Sequence, residues 1–385
     1  MFRGATLVLI VILASLVAGC SGGQEKGEAD GETTTTGENL RRVKQDQVVY
    51  GTSFVNPLIE VSGEVLIGEE SFVAGNTVLR ADEGQRVEIG NQTNAQDNVA
   101  VRALGRVVDV SDEAILAHHA LIEDSEIGDF VFLGFNSQVR NSTVEDGAFI
   151  LHGARVENVT IPENALVRAG QVVTDQATAD ALPTADEATE EFRREVLEVN
   201  REFAEGYIDL FEQEGEAALT GIGPNPTTSF NSRIEPQVPD SVTVGEFVRI
   251  VGDVRMGENS SVGTRSAIRA DEGSPIIIGR GANIAQRVTF HSLKDTEIRI
   301  GNGLIAGDDV TLHGPLEVGN NLRVGDRGVV FRVKVGDDVT VGEGAIVAGP
   351  AGEELELEIP NGTNIPDGAV VTNQEELDAI LEQQE

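Results

Sequence analysis

The feature that most restricts this chain is a period of six. In its second half Val244, Ile250, Met256, Val262 and Ile268 follow one another at steps of six residues. Ile278, Ile284 and Phe290 come next, then Ile300, Ala306, Leu312, Val318, Val324 and Val330, then Val335, Val341 and Val347. The first half keeps the same rhythm in Ile67, Val73 and Leu79, in Ile89, Ala95 and Val101, and in Ile127, Leu133 and Val139. Neither a helix nor an alternating strand produces six. A solenoid does, if each short strand forms one side of a triangular coil, one aliphatic per side points inward, and Gly, Asn and Asp make the corners. An aromatic content of 4% with no Trp suits so narrow a core.

The halves also share wording. "VLRADEG" at 78–84 corresponds to "AIRADEG" at 267–273, and "TIPENALVRAGQVVTDQ" at 160–176 to "NIPDGAVVTNQ" at 364–374. Between them, residues 185–215 place Phe192, Val196, Val199, Phe203 and Tyr207 at helical spacing, which predicts an amphipathic helix. The second copy ends in a short stub of the same kind, "QEELDAILEQQE". The reading is an all-β solenoid of two tandem parallel β-helix domains, with a long helix after the first and a short one at the C-terminus. The expected divisions are a signal segment at 1–20, a tether at 21–45, a first domain with its helix at 46–215 and a second at 216–385.

Charge and the N-terminus bear on location. Against 28 basic residues stand 65 acidic ones, for a net charge of −37, and only four of the basic residues are lysine. A carboxylate surface that avoids lysine stays hydrated when high salt screens its self-repulsion, so a halophilic source is expected and nucleic acid is not a partner. After Arg3 the apolar run "ATLVLIVILASLVAGC" reads as a secretory signal. Its end, "LVAGC", resembles a lipoprotein cleavage box, which implies lipidation of Cys20 and an extracytoplasmic, membrane-anchored protein. The Gly- and Thr-rich residues that follow have nothing to bury and read as a disordered tether.

The "R-x-D-E-G" and "N-x-Q-D" stretches, the "HGP" triplet, the "IPDG" and "VVT-x-Q" tail and the helix motif ending "A-E-G-Y" resemble the gamma-class carbonic anhydrases. That resemblance, in tandem over nearly all of the chain after residue 50, implies left-handed parallel β-helices of the hexapeptide-repeat superfamily. It also implies a trimer-like assembly, CO2 and bicarbonate as ligands, and a metal held between neighbouring subunits.

In the family, one subunit supplies the first and third metal histidines and its neighbour the middle one. The first copy aligns Arg102, His118 and Glu123 with these positions, and the second aligns His291, Asp308 and His313. Neither copy is complete. Together they hold one full set, His291 and His313 from the second with His118 from the first, which implies about one Zn²⁺, or Fe²⁺ or Co²⁺, per chain. The left-over Arg102, Glu123 and Asp308 are degenerate ligand positions expected to pair as buried ions, with Asp308 an alternative ligand if like copies meet. The resemblance further implies catalytic support from Gln96, from Asn200 on the helix, and from the carboxylates Glu83 and Glu272. It implies interface ion pairs from Arg80 with Asp82 and Arg269 with Asp271. His119 and His152 read as ordinary hydrogen-bonded or solvated side chains. Gly105 and Lys294 stand where one subclass has its proton-shuttle glutamate, which argues against fast turnover.

The expected function is therefore reversible hydration of CO2 at an interface between the two copies. The rivals are a non-catalytic β-helix scaffold whose ligands have drifted and, behind it, a hexapeptide acyltransferase. Assembly carries a parity condition: a closed ring of three domains cannot alternate two kinds. A mixed seam therefore needs the helix to return the chain to its starting end, so that the copies lie side by side as a homo-oligomer or pseudo-trimer.

Overall fold

A computed structural model describes residues 40–351 and 355–383. The signal segment, Cys20 and most of the tether lie outside them. The architecture is two tandem left-handed parallel β-helices. Every aliphatic of the two hexad series is buried except Val244, which is 36% exposed in the opening coil of the second copy. One inward aliphatic per side, repeated coil after coil, is thus what fills both cores.

Three sheets form the sides of the first β-helix, parallel except where the opening strands Arg41–Arg42 and Val49–Tyr50 pair antiparallel. Along one side Phe72, Asn94, Ile115, Phe132, Phe149 and Leu166 are register partners. They alternate with the core residues Val73, Ala95, Leu116, Leu133, Ile150 and Val167, so they face outward. An aromatic stripe on the outside of a solenoid needs a cover. Helix Glu187–Glu214, here α1, supplies it: Phe192 meets Phe132 (5.8 Å between centroids), Phe203 meets Phe72 (5.6 Å) and Tyr207 meets Phe54 (5.1 Å). Its start lies on late coils and its end on early ones, so the chain is carried back to the starting end. The Asp186 carboxylate caps the helix by accepting from Thr189 N–H, and Gly215, at φ 76°, ends it.

The second β-helix has one separate side. Its other two sides run together through the long strands Thr311–Val318 and Val329–Val335. It closes with helix Gln374–Leu381.

The copies meet along one seam. Asn76, Asn98, His119 and Asn136 form a column of corner residues in the left-handed region, with φ from 56° to 62°. Asn76 donates to the carbonyls of Phe247 and Arg265, Asn98 to the Thr289 hydroxyl and Asn136 to the Arg327 carbonyl. The column runs on through Gly153 and Gly170, at φ 64° and 66°. A Cβ on Gly153 would lie 2.3 Å from Ile346 Cδ1, so the close approach of the second copy favours glycine at a φ that Asn and His adopt elsewhere in the column. No helix among the described residues is long and apolar enough to cross a membrane.

Candidate metal centre

His118 follows strand Ile115–Leu116 of the first copy, immediately before the corner residue His119. His291 and His313 are register partners on adjacent parallel strands of the second copy, so both side chains leave the same outward face. The seam presses these groups together: one nitrogen from each ring lies within 4.8 Å of the others, and all three residues are buried. His118 Nε2 is 3.3 Å from His291 Nδ1. Two nitrogens of one tetrahedral ion with bonds of ~2.1 Å would be roughly 3.4 Å apart, so this spacing fits a shared divalent ion.

Neighbouring groups decide which nitrogens are free. His313 Nδ1 lies 2.9 Å from the Gly314 carbonyl, to which it donates, leaving Nε2 as an acceptor. His291 Nε2 faces Asp271 Oδ1 at 3.2 Å and Glu272 Oε2 at 3.6 Å, which leaves Nδ1 toward His118. Burial holds His118 and His313 well below the ordinary imidazole range, so both are neutral and fit to be ligands. Burial pushes the Asp271 carboxyl upward, but Arg269 and the hydrogen bonds from His291 and Tyr207 outweigh it and keep the group a carboxylate. Arg269 bridges the copies, 2.8 Å from Asp97 Oδ2 and 3.0 Å from Asp271 Oδ2.

Several buried polar atoms around the rings have no hydrogen-bond partner among the described residues: both amide atoms of Asn94 and Gln96 Oε1, while His118 Nδ1 faces Asp97 Oδ2 only at 3.5 Å. Orphaned polar atoms beside three converging imidazoles suit a site that holds an ion and water.

The remaining sequence candidates divide according to the seam. Gln96 and Glu272 line a pocket of about 440 Å³ that also reaches His313. Glu272 accepts from Lys294 N–H at 2.9 Å, and burial raises its carboxyl above the usual range. Asn200 is buried, but its Nδ2 donates to the Val196 carbonyl of its own helix at 2.8 Å. Glu83 is the counterpart of Glu272, yet it is exposed on a turn of the first copy. Arg80 and Asp82 do pair, at 2.8 Å, with side chains 52% and 40% exposed, whereas Arg269 and Asp271 are buried. The reason is common to all of these. Only the strand face of the second copy is covered by the first, and the matching face of the first copy looks outward.

The expected buried ion pairing of Arg102, Glu123 and Asp308 is corrected for the same reason. Among the described residues no ion pair joins them: Glu123 lies 3.9 Å from Arg140, and Asp308 accepts from Gln286 Nε2 at 2.7 Å. Asp308 stands apart from the three-imidazole cluster. His119 and His152, read as ordinary side chains, are in fact packed inside: His119 Nε2 is 3.1 Å from Thr289 Oγ1 across the seam, and His152 Nδ1 accepts from Phe135 N–H. Sequence reasoning missed Asp97 and Tyr207. A signal for Asp97 was available, because its counterpart in the second copy is Gln286, a swap that mirrors His118 against Asp308.

Fold and site together define a tandem β-helix protein with a three-imidazole centre between its repeats. It belongs to the gamma-class carbonic anhydrase family. Over 202 residues it is 31% identical to the carbonic anhydrase of Methanosarcina thermophila, an alignment covering 46% of this chain and 78% of that protein. It is also 34% identical over 173 residues to the carboxysome assembly protein CcmM of Nostoc sp., covering 42% of this chain and 30% of that protein. The chain thus spans less than a third of the length of that relative. No family model matches the chain. Among solved structures, a putative acetyltransferase of Bacillus cereus is 22% identical over 39% of this chain and 86% of its own, at a TM-score of 0.25.

Proposed function

We propose that the chain reversibly hydrates CO2 to bicarbonate, at one divalent-metal site held by His118, His291 and His313. The supporting observation is the convergence of three buried imidazoles from two repeats, each repeat incomplete by itself. Zn²⁺, Fe²⁺ and Co²⁺ all suit an all-imidazole donor set. When bound, such an ion supplies Lewis acidity that lowers the pKa of coordinated water to about 7.

The chain's own groups then have distinct tasks. Asp271, fixed by Arg269 and Tyr207, holds the Nε2 proton of His291 and so keeps Nδ1 available. Gln96 presents an unpartnered Oε1 that can accept a hydrogen bond and orient water. Glu272, raised by burial and on the pocket wall, carries the proton outward. Glu83, exposed, has no part in this site. Asn200, with Nδ2 engaged, has Oδ1 left to accept from the hydroxyl of bicarbonate. Because both halves of the seam belong to one chain, the site is complete without a second chain.

Metal analysis with CO2 hydration assays tests this reading. The parent should hold about one ion per chain, His118→Ala, His291→Ala and His313→Ala should each lose ion and activity, and Asp308→Ala should keep both. A parent that takes up no Zn²⁺, Co²⁺ or anaerobic Fe²⁺ would overturn the enzyme and leave the scaffold reading. We also propose lipid anchoring at Cys20 outside the cytoplasm. Its support is the "LVAGC" sequence alone, and mass spectrometry of the mature N-terminus tests it.

A further inference from the structure

The pocket beside His313 is much larger than CO2 requires. At about 440 Å³ it falls in the range of roughly 300–1,000 Å³ that holds organic ligands. Its walls are mainly aromatic and aliphatic, with Phe132, Phe149, Leu151 and Phe331 among them. A site for CO2 and water alone does not need such a chamber.

One wall carries Arg332. Its guanidinium lies over the rings of Phe331 and Phe192, 4.6 Å and 5.5 Å from their centroids. Those rings satisfy the faces of the cation, whereas its five N–H donors lie in its plane. Among the described residues no carboxylate or carbonyl accepts from them, in a chain that has 65 acidic residues to offer. Half-buried arginines elsewhere at the seam are paired: Arg287 with Asp309, and Arg265 with Glu60. Burial disfavours the charged form of Arg332, and among the described residues no anion compensates. A cation left unpaired in apolar surroundings is costly unless an anion arrives from outside. A second donor stands on the same wall. His152 Nδ1 accepts from Phe135 N–H, so the proton of the neutral ring is on Nε2.

We propose that this pocket binds an organic carboxylate, an aromatic or branched aliphatic acid. Its carboxylate is held by the Arg332 guanidinium with help from His152 Nε2–H, and its apolar body lies among the phenylalanines. An inorganic anion would use the charge and leave the apolar walls idle. A neutral apolar compound would use the walls and leave the guanidinium unpaired. Because His313 lines the same chamber, an occupant also narrows the approach to the three imidazoles.

Calorimetric titration of the full chain, both metal-free and Zn²⁺-loaded, with 3-phenylpropanoate tests this. The controls are 3-phenylpropanamide, acetate, bicarbonate and chloride. The acid should bind both forms, about tenfold or more tighter than the amide and than each small anion. Arg332→Met should weaken the acid about ten- to hundredfold and leave the amide unchanged, while Ala169→Trp, which fills the chamber, should remove both. Equal affinity for acid and amide, an acid no tighter than acetate, or unchanged acid affinity in Arg332→Met would each overturn the proposal. So would binding that requires Zn²⁺ and survives Arg332→Met, since the acid would then be a ligand of the metal. Binding to the metal-free protein separates this proposal from the carbonic anhydrase reading, which the metal and hydration assays decide independently.

Discussion

Arg269 of the second copy donates from Nη1 to Oδ2 of Asp97 in the first, at 2.8 Å, with side chains 4% and 2% exposed. The same guanidinium holds Asp271, which in turn faces His291. The contact that joins the repeats is thus also the one that orients a candidate ligand. Removing Asp97 as Asp97→Ala leaves a buried, half-paired cation and should cost about 3–5 kcal/mol. Asp82→Ala, at the exposed counterpart pair, should cost no more than about 1 kcal/mol. Urea unfolding at constant salt measures both, and equal costs would contradict the one-sided seam.

Tyr207 reaches from α1 to Asp271, its hydroxyl donating to Oδ2 at 2.5 Å. Tyr207→Phe keeps the ring packing on Phe54 and deletes only the hydrogen bond. Stability should fall by about 1–3 kcal/mol, and metal affinity by roughly tenfold or more, because the partner of His291 is loosened. Metal competition with a chromophoric chelator reads the second effect. An unchanged affinity would mean that Asp271 is held by Arg269 alone.

The hexad core can be tested position by position. Leu312 is fully buried and Val244 is 36% exposed, though both belong to the same series. Leu312→Ala should cost about 2–5 kcal/mol, and Val244→Ala about 0.5 kcal/mol or less. Thermal or urea unfolding distinguishes them readily.

Burial holds His119 at about 4 and His152 at about 3, below the ordinary imidazole value near 6.5. Between those values and 6.5 the unfolded chain takes up protons that the folded chain refuses. Stability therefore falls as pH drops through this window and stops falling on this account below the folded values. Each histidine contributes a slope of up to about 1.4 kcal/mol per pH unit. His119→Asn places in the corner column the residue already used at Asn98 and Asn136. It should flatten the pH dependence of stability between pH 6 and 5 by up to one proton. An identical slope in the variant would show that His119 is protonated in the fold.

Much of this protein is written in local pattern. The period of six predicts the coil, because an inward aliphatic is required wherever a short strand turns a corner, and the burial of Ile268, Leu312 and Val347 follows from it. The spacing of Phe192, Val196, Val199, Phe203 and Tyr207 likewise specifies a helix with one apolar face. The complementary histidines of the two copies identify the three rings that meet. What the pattern does not contain is which faces are covered. Arg80 and Arg269, or Glu83 and Glu272, occupy equivalent positions in equivalent words, and nothing local separates them. Tertiary structure decides between them, because two domains side by side share one seam and that seam is not reciprocal. The strand face of the second copy is desolvated, so Arg269, Asp271 and Glu272 become a buried network around His291. The strand face of the first copy keeps contact with water, and there Arg80 stays exposed while Arg102 and Glu123 are half-buried.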